Sequence, residues 1–109
     1  MDTGLDRLDR MFIALADGQR RRMIDRLSAG PASVSEIARP LDMALPSAVK
    51  HLAVLEAGGI VSSDKRGRVR TYRIAPNAFG GLEAWVAERK AQWRGQFDRL
   101  DAFLSEDLQ

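Results

Sequence analysis

The chain has no cysteine and one histidine among its 109 residues. Without cysteine there is no disulfide framework, no thiolate metal site and no cysteine nucleophile. The N-terminal stretch MDTGLDRLDRMF alternates acids and bases and carries no apolar signal core. No apolar run approaches the roughly 20 residues that span a bilayer. The expectation is a cytoplasmic protein with no membrane segment. An excess of one charge is missing too. The formal net charge is +2, which argues nothing about nucleic acid by itself. At 45% hydrophobic and 29% charged residues, the composition is that of a globular chain, and the length suits one domain over residues 1–109.

What is present is periodicity with punctuation. Leu5, Leu8, Phe12 and Leu15 recur at helical spacing and predict a first helix over about 5–16. Asp17 reads as the N-cap of a second helix over about 18–28, with Met23, Ile24 and Leu27 inward. Ala29-Gly30-Pro31 ends it. Ser33 and Glu36 form a capping box that opens a short third helix, with Ile37 and Ala38 inward and Pro40 as its stop. Leu45-Pro46 opens a fourth helix to about Ala57, with Val49, Leu52 and Leu55 expected on its inner face and Gly58-Gly59 behind it. Two β-type runs, Ile60–Asp64 and Val69–Ile74, flank the glycine-bearing loop Lys65-Arg66-Gly67-Arg68. A long helix over about 81–104 closes the chain. Its stripe of Leu82, Val86, Arg89, Trp93, Phe97, Leu100 and Leu104 is longer than a small domain needs for its own core. The predicted fold class is mainly α with a small β-hairpin, a winged helix-turn-helix with an extra helix at each end.

That order places a helix-turn-helix at about 33–58 and a wing at about 60–74. In such a unit a short helix braces a second, and the second enters the major groove of duplex DNA. The outward face of the fourth helix is expected to hold Ser47, Lys50, His51 and Val54. Serine, lysine and histidine can bond base edges or phosphates, and valine can touch a thymine methyl. Lys65, Arg66, Arg68, Arg70 and Arg73 fall within nine positions around the wing loop. A basic wing can lie along phosphates and place Arg66 or Arg68 in the minor groove. The candidate DNA-binding set is therefore Ser47, Lys50, His51, Val54, Lys65, Arg66, Arg68 and Arg70.

The segments FIALADGQRRRMIDRL and LPSAVKHLAVLEAGGIVSSDKRGRVRTYRI resemble the opening motif, recognition helix and wing of the ArsR/SmtB family of bacterial winged-helix repressors. The resemblance runs through Asp17, Arg20-Arg21, Lys50-His51-Leu52, Leu55-Glu56, Gly59-Ile60-Val61 and Gly67-Arg68. Gly18-Gln19 replaces the usual Pro-Thr, and Ala44 and Val49 stand where the family usually carries serine. The resemblance implies a homodimeric repressor built on the first and last helices, reading a pseudo-palindromic operator. The stripe supports pairing independently, because a monomer would leave it exposed to water. The expected interface is Leu5, Leu8, Phe12, Trp85, Val86, Trp93, Phe97 and Leu100.

Many relatives sense metals through cysteines near the third helix or through Asp and His on the last. Those ligands are missing, and one isolated imidazole makes a poor site, so no metal and no cofactor is expected. No nucleophile–base pair, phosphate loop or paired carboxylates suggest an enzyme. A small-molecule effector held by Trp85, Trp93 and Phe97 between subunits stays open. So does a winged-helix protein-interaction module that has lost DNA binding.

Overall fold

The computed structural model describes residues 6–107. Leu5, expected in the dimer interface, lies outside the described residues. The chain divides into two units, one ending at Phe79 and the other beginning at Gly80.

The first unit runs α1 (Arg7–Leu15), α2 (Gly18–Ser28), β1 (Ala32–Ser33), α3 (Val34–Ala38), a 3-10 turn (Arg39–Leu41), α4 (Leu45–Ala57), β2 (Val61–Arg66) and β3 (Val69–Ile74). Local chemistry sets most of these boundaries. Asp6 and Asp9 make a capping box at the start of α1, which begins at Arg7 rather than Leu5. Asp17 accepts hydrogen bonds from the amides of Gln19 and Arg20 at 2.8 and 3.1 Å. The Ser33–Glu36 box forms as expected, with the Glu36 carboxylate 2.8 Å from the Ser33 amide. Ala44 caps α4 without a side-chain bond, and Pro46 sits in the first turn.

The sheet has one strand more than expected. β1 pairs with β3 through Ala32–Tyr72 and Ser33–Thr71, giving the antiparallel order β1-β3-β2. The hairpin strands also run further. Arg66 pairs with Val69, so the wing loop shrinks to Gly67-Arg68, and Gly67 takes the left-handed φ of 62° that a tight turn demands.

The core gathers Met23 and Leu27 of α2, Ile37 of α3, Leu52 and Leu55 of α4, and Ile60, Val61 and Tyr72 from the wing side. Each fully buried large aliphatic side chain contributes about 1.5–3 kcal/mol relative to exposure. One expectation needs correction. Val49 is 49% exposed, and the inward residue beside Leu52 is Ala48. Leu52 and Leu55 are inward as expected, so only the first position of the stripe differs, with the small Ala48 buried in place of Val49. On α1 the buried residues are Met11 and Ala14, while Leu8 and Leu15 are half-buried and Phe12 is exposed. Alanine matters here also. A Cβ on Gly58 would stand 2.9 Å from the Ala14 Cβ and 3.0 Å from the Arg10 carbonyl oxygen, so α1 and the end of α4 meet nearly backbone to backbone.

The second unit is α5 (Gly80–Asp107), 28 residues and about 42 Å long. Trp85, Trp93, Phe97, Leu100, Phe103 and Leu104 are exposed along it, and Val86 is half-buried. Arg89, the charged member of the stripe, holds its guanidinium 5.2 Å from the centre of the Trp85 ring.

Candidate nucleic-acid interface

The surface of α4 follows from its buried side. With Ala48, Leu52 and Leu55 inward, the exposed side carries Leu45, Ser47, Val49 and Lys50, with Val54 half-buried at its edge. Ser47 and Lys50 thus lie where expected, and Val49 joins them. His51 does not share this exposure. It is half-buried at the flank facing α2, with Nδ1 3.3 Å from Nη1 of Arg20.

The wing's cations are sorted by strand register. Residues opposite each other in an antiparallel pair project to one face, and neighbours along a strand alternate. Lys65 is opposite Arg70 and Ser63 is opposite Tyr72, so these four share a face. The buried Tyr72 turns that face toward the helices, and burial pushes its phenol up from the ordinary value. Asp64, Arg66, Thr71 and Arg73 line the opposite side. There Arg73 donates to the Asp64 carboxylate, and this bond holds Asp64 below the usual carboxylate range.

A chain of hydrogen bonds fixes the wing to α4. Nη1 of Arg70 donates to Oγ of Ser63 at 2.9 Å, and that hydroxyl donates to the Glu56 carboxylate at 3.1 Å. Lys50, Lys65 and Arg68 are exposed and, among the described residues, have no hydrogen-bond or ion-pair partner. The five clustered cations are thus unequal. Arg70 and Arg73 are engaged within the wing, Arg66 is on the far face, and Lys65 and Arg68 are exposed on the side of the cleft.

Between α3, α4 and the wing lies an open cleft of about 500 Å³. Ser33, Ser35 and Val49 line one wall, and Lys65, Arg68 and Val69 the other. On α5, Trp93 and Phe97 line a shallow groove with Lys90 and Arg94. Trp85 does not line it. Among the described residues no group of His, Asp and Glu could hold a metal ion, and no described helix is long and apolar enough to cross a membrane.

The missed elements of this region are Val49 and the Glu56–Ser63–Arg70 chain. An exposed valine gives no signal distinct from a core valine in one sequence. The hydrogen-bond chain becomes visible only once the register sets Ser63 diagonal to Arg70.

A four-helix core bearing a helix-turn-helix and a three-stranded sheet with a wing hairpin defines a winged helix-turn-helix protein. A family model for a helix-turn-helix domain matches residues 15–64. HTH-type transcriptional regulator Rv2034 of Mycobacterium tuberculosis is 39% identical over 74 residues, which cover 68% of this chain and 69% of that one. The crystal structure of an ArsR family transcriptional regulator matches with a TM-score of 0.77 at 49% identity, covering 82% of this chain and 98% of that one. The solution structure of the homodimeric winged helix-turn-helix DNA-binding domain of Mb0332 from Mycobacterium bovis matches with a TM-score of 0.65 at 33% identity, covering 84% and 85%. The chain belongs to the ArsR family of transcriptional regulators.

Proposed function

We propose that this protein is a homodimeric repressor that binds a pseudo-palindromic operator, with α4 in the major groove and the wing beside it. The observation that carries this reading is the shared side of α4 and the wing. Val49 on one wall and Lys65 and Arg68 on the other line one cleft, and Ser47 and Lys50 add an exposed donor and positive charge on the same helix. Lys65 and Arg68 suit phosphates, which position a protein on DNA, and Ser47, Val49 and Lys50 suit base edges, which specify the site. Repression follows the family resemblance, by occlusion of a promoter. The exposed stripe of α5 supports pairing with a second copy, and the homodimeric Mb0332 domain supports it further. A two-fold dimer presents two recognition helices about 34 Å apart, one turn of DNA.

The test is a selection of binding duplexes from random sequence, followed by anisotropy titrations at several salt concentrations. A palindromic consensus with affinity falling steeply in salt is expected, since each neutralised phosphate releases counterions. Arg68→Ala should weaken all duplexes alike, whereas Lys50→Ala or Ser47→Ala should also change base preference. No binding at low salt would defeat the reading.

The exposed Leu45 and Val49 favour one second reading, a winged helix that docks on protein. Stoichiometric capture of a protein partner without DNA affinity would establish it. A small-molecule effector at Trp93 and Phe97 stands as part of the first reading, read out as a ligand that shifts operator affinity.

A further inference from the structure

The Arg20 guanidinium ties three helices together. Nε donates to the Ala14 carbonyl at 2.7 Å and Nη2 to the Ile13 carbonyl at 2.8 Å, both in the last turn of α1. Nη1 lies 3.3 Å from Nδ1 of His51 on α4 and 3.8 Å from the carboxylate of Asp17 at the cap of α2. A guanidinium has donors and no acceptor, and it stays protonated in proteins. The contact to His51 therefore has one polarity, with Nη1–H donating and Nδ1 accepting. An imidazole whose Nδ1 accepts is neutral and carries its proton on Nε2.

We infer that Arg20 is a positioning residue for the recognition helix, fixing His51 as the neutral Nε2–H tautomer. This position of α4 then offers a single N–H donor, on Nε2. Such a group suits a phosphate oxygen or the acceptor edge of guanine. It does not suit the amino groups of adenine or cytosine, which need an acceptor. The same guanidinium occupies the Ala14 carbonyl at the end of α1 and adds a second donor to the Ile13 carbonyl, which also accepts from the Ala16 amide. The ring's orientation and the seating of α4 against α1 are thus set by one side chain. The use of His51 on DNA rests on the proposed function; its tautomer does not.

His51 is the single histidine, so the ring nitrogens of nitrogen-15-labelled protein give one uncrowded set of signals. At about pH 8, above the ordinary histidine range, the expected spectrum shows a protonated Nε2 and an unprotonated Nδ1. Arg20→Met should move both shifts toward the average of a tautomer mixture, with the far-UV spectrum retained. A proton on Nδ1 in the wild-type protein, or shifts unaltered in Arg20→Met, overturns the inference. The wild-type spectrum decides even if the variant fails to fold.

A second arm uses the duplex recovered by selection. His51→Ala and Arg20→Lys should each weaken binding about tenfold, and the double variant by no more than about the larger single loss. Fully additive losses overturn the positioning role. If the wild-type protein binds no duplex at all, the DNA-binding reading falls, and the spectrum alone still decides the tautomer.

Discussion

Three carboxylates show how single residues hold this fold. Asp17, Glu36 and Asp64 are each held below the usual carboxylate range, by the Arg20 amide, the Ser33 amide and the Arg73 side chain respectively. A carboxyl whose folded pKa is depressed adds stability above its unfolded pKa and loses it as pH falls through the folded value. Stability should therefore be flat near neutrality and drop below about pH 4. The gap between urea midpoints at neutral and acid pH should narrow for Asp17→Asn, which keeps a capping oxygen but no longer titrates, while Glu36 and Asp64 keep their share of the loss. A wild-type-sized acid loss in that variant would contradict this account. Val49 gives a second prediction at this scale. Its exposed methyls should favour a thymine methyl in the operator, so replacing one thymine by uracil should weaken wild-type binding about 3- to 10-fold and Val49→Ser binding much less. Equal losses in both proteins would remove the contact. Val49 also shows what sequence reading misses. Fitting a helical stripe weights valine above alanine, yet α4 buries Ala48 because close packing rewards the smaller side chain.

At the scale of elements, the legible features were those whose causes are local. Both the Asp17 cap and the Ser33–Glu36 box reach only three residues along the chain. The long α5 declared itself by periodicity. By contrast, Arg20 and Arg21 reach back to carbonyls of Ile13, Ala14 and Leu15, six and seven residues away, and no short-range rule finds that. The motif Asp17-x-x-Arg20-Arg21 is thus a corner in which one helix is started and the previous one is finished. Gly58 behaves similarly. Placed behind α4 as a terminator, it also permits the contact with α1, although its φ is an ordinary −80°. Gly58→Ala should cost about 1–3 kcal/mol by forcing the α1 backbone away. Gly81→Ala, where a Cβ meets nothing within 4 Å, is the control. Denaturant midpoints that fall equally, or not at all, for the two variants would show that the α1–α4 contact is not tight.

For the whole molecule, the candidate interface was legible as a composition and not as a surface. The cations around Gly67 were evident, but their division between two faces of the wing required the register of β2 on β3. The paired assembly makes its own prediction. Leu100→Asp places a charge in the exposed apolar stripe of α5, where pairing would bury it. Sedimentation should then show a monomer at concentrations at which the wild-type protein is a dimer, and affinity for the full palindrome should fall to that of a half-site. An unchanged sedimentation coefficient would remove α5 from the interface.

The short strand β1 bears on how the first unit breathes. Ala32 and Ser33 pair with Tyr72 and Thr71 at the base of the wing, and the Ser33 hydroxyl also caps α3. Peeling the wing from its base would uncap the bracing helix at the same moment. Amide hydrogens at the start of α3 and in the middle of β3 should then exchange with solvent at a common rate, as one cooperative block. Those at the Gly67 tip should exchange sooner, because the tip can fray alone. Local unfolding near the cleft would thus be confined to the wing tip, while anything larger releases the helix-turn-helix as a whole.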